Sequence, residues 1–164
     1  MTAPAPERLV RVAEWAVERG DAVIVTLGLG SCVAIMLHDP EAALGGMAHV
    51  LLPSRSLARD AGNPAKFPET AVPLLLERLT ALGASRARLL AKLAGGASMF
   101  APLMSPGAVQ MGERNVLAVR ETLRRHGIPV VAEAVGGERG RSVRFHVRSG
   151  RVEVRAVGEN GLVI

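Results

Sequence analysis

The chain has 164 residues, 49% apolar and 21% charged, a length and balance that fit one folded domain and exclude a disordered chain. Its net charge of +5 comes from arginines scattered along the sequence, and three Phe, one Trp and no Tyr leave no aromatic platform, so nucleic-acid binding is set aside. One cysteine excludes an internal disulfide framework, and no apolar run reaches the length of a membrane span.

An acidic protein surface is the more natural partner for a mildly basic face. The N-terminus, Met1-Thr-Ala-Pro-Ala-Pro-Glu-Arg8, lacks the basic-then-apolar pattern of a secretion signal, so a cytoplasmic location is expected.

Residues 1–8 are Pro-rich and read as a flexible N-terminus. Leu9 to Val17 alternates imperfectly and predicts one strand, followed by a turn at Glu18–Asp21. Ala22 to Leu27 is β-branched and apolar, a buried strand broken by Gly28 and Gly30. Ser31 to Leu37 predicts a strand ended by Asp39-Pro40, with His38 at the turn, and Gly46 to Leu52 another closed by Pro53. The polar run Ser54 to Lys66 reads as a long mobile loop.

Phe67 to Leu82 is the clearest helix, with Val72, Leu75, Leu76, Leu79 and Leu82 at helical spacing, Pro68 in its first turn and Gly83 past its end. Arg88 to Leu93 predicts a strand entering Ala94-Gly95-Gly96-Ala97, and residues 98–111 look irregular. Gly112 to His126 is a second helix, with Val116, Val119 and Leu123 inward. Ile128 to Val135 is a strand, Ser142 to Val147 and Val152 to Val157 form a hairpin across Ser149-Gly150, and 158–164 is a tail without a pattern. The total is six to eight strands and two helices. It predicts an α/β (α+β) domain of mixed sheets covered by helices, not a doubly wound fold.

The chemistry centres on Cys32. On residue type alone a lone cysteine is most often a small buried hydrophobe. Its setting points further. Gly28 and Gly30 let the backbone turn sharply, and the N–H groups around Gly30 and Ser31 can form a concavity for an oxyanion beside an attacking sulfur. No third glycine or lysine follows at phosphate-loop spacing. A thiol of pKa about 8.5 needs a helper, usually histidine. Of His38, His49, His126 and His146, only His49 lies inside an apolar strand after a glycine pair. A histidine there is more often a hydrogen-bonded core residue, yet two glycine-broken strands delivering Cys32 and His49 would suit a thiol–imidazole pair. Neither Asp21 nor Asp39 is clearly placed as a third member. Thr26 could accept from the imidazole, although by itself it reads as a strand former. No metal-ligand spacing is present.

The run Thr26-Leu-Gly-Leu-Gly-Ser-Cys32-Val-Ala, then Asp39-Pro40, then Gly45-Gly46-Met-Ala-His49-Val-Leu-Leu-Pro53, closely resembles the signature of the CheD family of chemoreceptor glutamine deamidases. Lys92-Leu-Ala-Gly-Gly-Ala-Ser-Met99, Gly112-Glu-Arg-Asn115, Gly136-Gly-Glu-Arg-Gly-Arg141 and Ser149-Gly150 continue the resemblance in order over residues 9–157. Phe67 and Ser149 stand where the family commonly has tyrosine and threonine.

The resemblance implies Cys32 as nucleophile, His49 as general base and acid, and Thr26 as the hydroxyl orienting it. It implies a layered sandwich similar to toxins that deamidate host proteins, and needs no cofactor. It implies hydrolysis of glutamine side-chain amides on methyl-accepting chemotaxis receptors, cleavage of glutamyl methyl esters by the same machinery, and a CheC-type phosphatase as partner. The alternatives are a non-catalytic module docking on receptors or CheC, and a redox-sensing thiol, which lacks a resolving cysteine.

Overall fold

The computed structural model describes residues 3–164. Two mixed five-stranded sheets stack, and two helices cover one of them. The first sheet has the order β1(Glu7–Leu9), β3(Val23–Leu29), β8(Arg141–His146), β9(Val152–Ala156), β10(Leu162–Val163). The second has the order β2(Trp15–Arg19), β5(Leu44–Val50), β4(Val33–Asp39), β6(Leu90–Gly95), β7(Val130–Val135). Only β1–β3 and β6–β7 pair in parallel; all other neighbours are antiparallel.

The helices α1(Pro68–Ala81) and α2(Met111–Arg125) lie on the outer face of the second sheet. Their apolar stripes, Val72, Leu75 and Leu79 from α1 and Val116, Val119 and Leu123 from α2, meet Ile35, Leu37 and Leu93. The inner face, carrying Cys32, Ala34, Met36 and Met47, packs on Ile24, Leu29, Val143 and Phe145 of the first sheet. The result is a helix–sheet–sheet sandwich, the layered mixed-sheet architecture the sequence predicts.

Several boundaries differ from the sequence reading, each for a physical reason. Leu9–Val17 is not one strand. Ala13 takes a left-handed conformation (φ 61°), and the chain leaves the first sheet after β1 to enter the second at β2. Gly28 does not end β3, which runs through a register shift between Thr26 and Leu29 and breaks at Gly30-Ser31. Gly45 and Gly46 do not break β5. A Cβ at Gly45 would stand 2.8 Å from the Phe145 ring, and one at Gly46 3.2 Å from Leu75, so these glycines let both neighbouring layers close on the strand.

Residues 54–66 are not a free loop. Lys66 C=O accepts from the N–H groups of Leu51 and Leu52, and Asn63 Nδ2 donates to Ala13 C=O. At the termini, Glu7 and Arg8 pair with Val23 and Ile24, and Leu162–Val163 pairs with Val154 and Glu153 as the tenth strand among the described residues.

Asp39 closes β4. It is fully buried; its Oδ1 accepts from the N–H groups of Glu41 and Ala42 at 3.1 Å, its Oδ2 from Ser85 N–H at 2.8 Å, and Arg88 donates to both oxygens at 2.9 Å. Burial pushes the carboxyl pKa up, but these donors outweigh it and hold it at about 2. The stabilisation is fully present above the ordinary carboxylate range and is lost as pH falls through about 2. Asp39→Ala strands four donor groups, three of them half-buried, and is expected to cost roughly 3 kcal/mol, read as a lower urea midpoint.

Candidate active site

Cys32 sits where the chain crosses from one sheet to the other, in Gly30-Ser31-Cys32 between β3 and β4. The carbonyls of this turn are held by the protein. Ala97 N–H donates to Gly30 C=O at 2.8 Å, Asn115 Nδ2 to Ser31 C=O at 2.8 Å, and Gly96 N–H to Cys32 C=O at 2.8 Å. Among the described residues the Ser31 N–H meets no backbone carbonyl, and the Cys32 N–H faces the residue's own sulfur. Cys32 is buried, with 8% of the residue exposed. A cleft of about 490 Å³ opens beside Ser31, walled by Ser98, Met99, Phe100, Met104 and Arg114.

His49 reaches the same place from β5. The register pairs Val33 with Val50 and Ala34 with His49, so one step beyond β4 Cys32 lies opposite Leu51. Side chains alternate along strands, so Cys32, Ala34 and His49 share the face turned to the first sheet. Cys32 and His49 are diagonal neighbours on it, with Cα atoms roughly 7 Å apart.

Thr26 supplies the third group, across the gap between the sheets. Its Oγ1 is 2.5 Å from Val10 C=O and 2.8 Å from His49 Nδ1, and both side chains are fully buried. The hydroxyl has one proton, and a carbonyl can only accept, so that proton goes to Val10. Thr26 Oγ1 must therefore accept from Nδ1–H, which fixes the imidazole tautomer with the proton on Nδ1. Nε2 keeps its lone pair, and it has no partner among the described residues.

Burial sets the electrostatics. It pushes the Cys32 thiol up, and the residue's own N–H only partly offsets this. It pushes His49 down to about 4. Both shifts favour a neutral thiol beside a neutral imidazole over an ion pair at neutral pH.

The remaining histidines stand apart. His38 is not at a turn. It lies within β4, edge-on to Phe145 with ring centres 6.1 Å apart, and six residues of extended chain, about 20 Å, from Cys32. His126 caps α2 beside Arg86, and His146 Nε2 lies 3.4 Å from Glu153. Among the described residues no three His, Cys, Asp or Glu side chains converge as metal ligands.

Sequence reasoning passed over Asn115. Its fully buried side chain donates from Nδ2 to Ser31 C=O at 2.8 Å and Leu51 C=O at 3.1 Å. A signal was available. Gly112, Asn115, Val116, Val119, Thr122 and Leu123 form the buried face of α2, and a carboxamide on an apolar stripe needs a polar reason.

Fold and site together define a two-sheet α+β protein in which Thr26 and His49 are hydrogen-bonded between the sheets and Cys32 lies on the same face of the second sheet as His49. The chain belongs to the CheD family. The family model described as CheD chemotactic sensory transduction matches residues 51–156. The "Chemoreceptor glutamine deamidase CheD" of Thermotoga maritima is 47% identical over 152 residues, covering 93% of each chain. The "Probable chemoreceptor glutamine deamidase CheD 2" of Geobacter metallireducens is 48% identical over 149 residues, covering 90% of this chain and 92% of its own. The corresponding protein of Caldanaerobacter subterraneus is 41% identical over 149 residues, 91% and 92% of the two chains. Among solved structures, Neisseria meningitidis protein NMB0706 shares the fold, with a TM-score of 0.51 at 10% identity over 82% of this chain and 65% of that one. No helix among the described residues is long and apolar enough to cross a membrane.

Proposed function

We propose that this chain hydrolyses glutamine side-chain amides of chemoreceptors to glutamate and ammonia, with Cys32 as nucleophile, His49 as base and acid, and Thr26 as the group that orients the imidazole. The observation that carries this is the tautomer. The Val10–Thr26–His49 chain leaves Nε2 as a bare acceptor on the sheet face that bears Cys32. The relatives' names supply the substrate class.

The reaction runs by proton transfer during attack, because both groups rest neutral. Cys32 Sγ attacks the amide carbon as its proton passes to His49 Nε2. The carbonyl oxygen becomes an oxyanion, and the N–H groups of the Gly30-Ser31-Cys32 turn are the nearby donors for it. His49 gives its proton to the nitrogen as the C–N bond breaks, and ammonia leaves a thioester. Water attacks the thioester carbon while His49 Nε2 takes its proton. The C–S bond breaks, that proton returns to sulfur, and glutamate is released. A glutamyl methyl ester enters the same cycle with methanol as leaving group. A cytoplasmic location and a CheC-type phosphatase as partner go with this reading through the family resemblance.

The test is incubation of a glutamine-bearing receptor fragment with wild type and with Cys32→Ala, followed by mass spectrometry. Amide-to-acid conversion by wild type alone is expected. A wild type that binds the fragment and converts nothing refutes the enzyme and favours a docking module. Thr26→Val removes the hydroxyl with little change of shape. It is expected to lower kcat on the order of 10²-fold, because the imidazole loses the acceptor that fixes its tautomer.

A further inference from the structure

We propose that Asn115 is a positioning residue that holds the Cys32 turn against the end of the His49 strand and so sets the alignment of the thiol with the imidazole. The proposal rests on the thiol–imidazole reading above.

Three observations carry it. First, Asn115 Nδ2 has two hydrogens and spends them on two carbonyls, Ser31 at 2.8 Å and Leu51 at 3.1 Å. Ser31 precedes the nucleophile by one residue, and Leu51 follows the base by two. By extension of the β4–β5 register Leu51 lies opposite Cys32, so one amide group ties the turn before Cys32 to the end of the strand that carries His49. Both partners are carbonyls, so the amide can sit only with its nitrogen toward them.

Second, the helix that carries Asn115 cannot drift. Gly112 lies one turn earlier on the same face, and a Cβ there would overlap the carbonyl oxygens of Gly96 and Ala97. Gly96 and Ala97 in turn donate their N–H groups to Cys32 and Gly30. The start of α2 is thus seated directly on the segment that holds the nucleophile turn.

Third, Asn115 Oδ1 is buried without a partner among the described residues. An apolar residue would avoid the cost of an unmet acceptor, which is about 1–3 kcal/mol. The side chain therefore serves the two bonds it makes and is not a bystander of core packing.

The experiment compares wild type, Asn115→Ala, Asn115→Ser and, as a stability control on the same helix, Leu123→Ala. Two readouts are used: kcat and KM for amide hydrolysis on the receptor fragment, and the rate of Cys32 alkylation by iodoacetamide, with His49→Ala as reference. Asn115→Ala is expected to lose roughly 10²-fold in kcat with KM nearly unchanged, since a displacement near 1 Å between reacting groups costs about that much. Asn115→Ser keeps one donor and should fall between. Alkylation of Asn115→Ala should slow toward the His49→Ala rate.

An Asn115→Ala variant that keeps kcat within about twofold of wild type overturns the proposal, as does a loss no larger than that of an equally destabilised Leu123→Ala. If wild type alkylates faster than His49→Ala and Asn115→Ala matches wild type, the role of Asn115 falls alone. If wild type and His49→Ala alkylate equally, the underlying pair is refuted, and the proposal with it.

Discussion

His49→Ala is expected to lower kcat for amide hydrolysis by about 10³-fold, the scale of a positioned acid–base group. The substitution leaves the sulfur in place but removes the proton acceptor proposed for it. Burial holds the Cys32 thiol up, so at neutral pH little thiolate forms without help. Added imidazole should restore part of the rate, because truncating the side chain leaves a ring-sized space against Thr26. The same environment predicts the pH profile. Burial drives His49 down to about 4, so the active neutral ring persists well below the ordinary histidine range.

The acid limb of kcat/KM is therefore expected near pH 4, in place of the limb near 6.5 that a solvated histidine would give. Stability follows the same sign. The unfolded chain binds the His49 proton more readily than the folded one. The contribution of the neutral buried ring is complete above the unfolded value of about 6.5 and is lost as pH falls through about 4. Rate profiles with reactivity checked after return to pH 7 separate the reversible limb from acid unfolding.

Gly95→Ala is expected to reduce stability by about 3 kcal/mol or more and to cut activity further than that loss explains. Gly95 has a φ of 107°, which an L side chain rarely adopts, and a Cβ there would overlap the Cys32 carbonyl oxygen. The obstacle is backbone and cannot swing aside. The nucleophile turn must move, or β6 must separate from β4. Gly83→Ala provides the contrast. Gly83 has a φ of 111° and nothing within 4 Å of its would-be Cβ, so it tests backbone conformation alone. It should cost only about 1–2 kcal/mol and leave kcat unchanged. Thermal melts beside rate measurements distinguish the two.

The legible parts of this chain were those written in local pattern. α1 and α2 show as apolar stripes closed by Pro68 and Gly127, and the Ser149-Gly150 hairpin as two alternating runs about a turn. The family motifs reached further, bringing Cys32, His49 and Thr26 together before any fold was in hand. Their contacts were not local. Thr26 meets His49 across 23 residues and two sheets, and nothing in a β-branched run marks which threonine will find a histidine. The switch of sheets at Ala13 depends on a left-handed alanine, a conformation composition does not announce. Asn115 stood in a family motif and on an apolar stripe, yet its role was not legible, because its partners are main-chain carbonyls and carry no side-chain signature.

The Thr26–His49 hydrogen bond joins the two sheets, and the sulfur lies on the segment that passes between them. Neither sheet alone therefore holds both members of that hydrogen bond. If Cys32, His49 and Thr26 act as proposed, a chain whose two layers have not docked is inactive. Activity is then a proof of assembly. Substitutions that loosen the interlayer core, at Phe145 for example, should silence hydrolysis while circular dichroism still reports intact strands and helices.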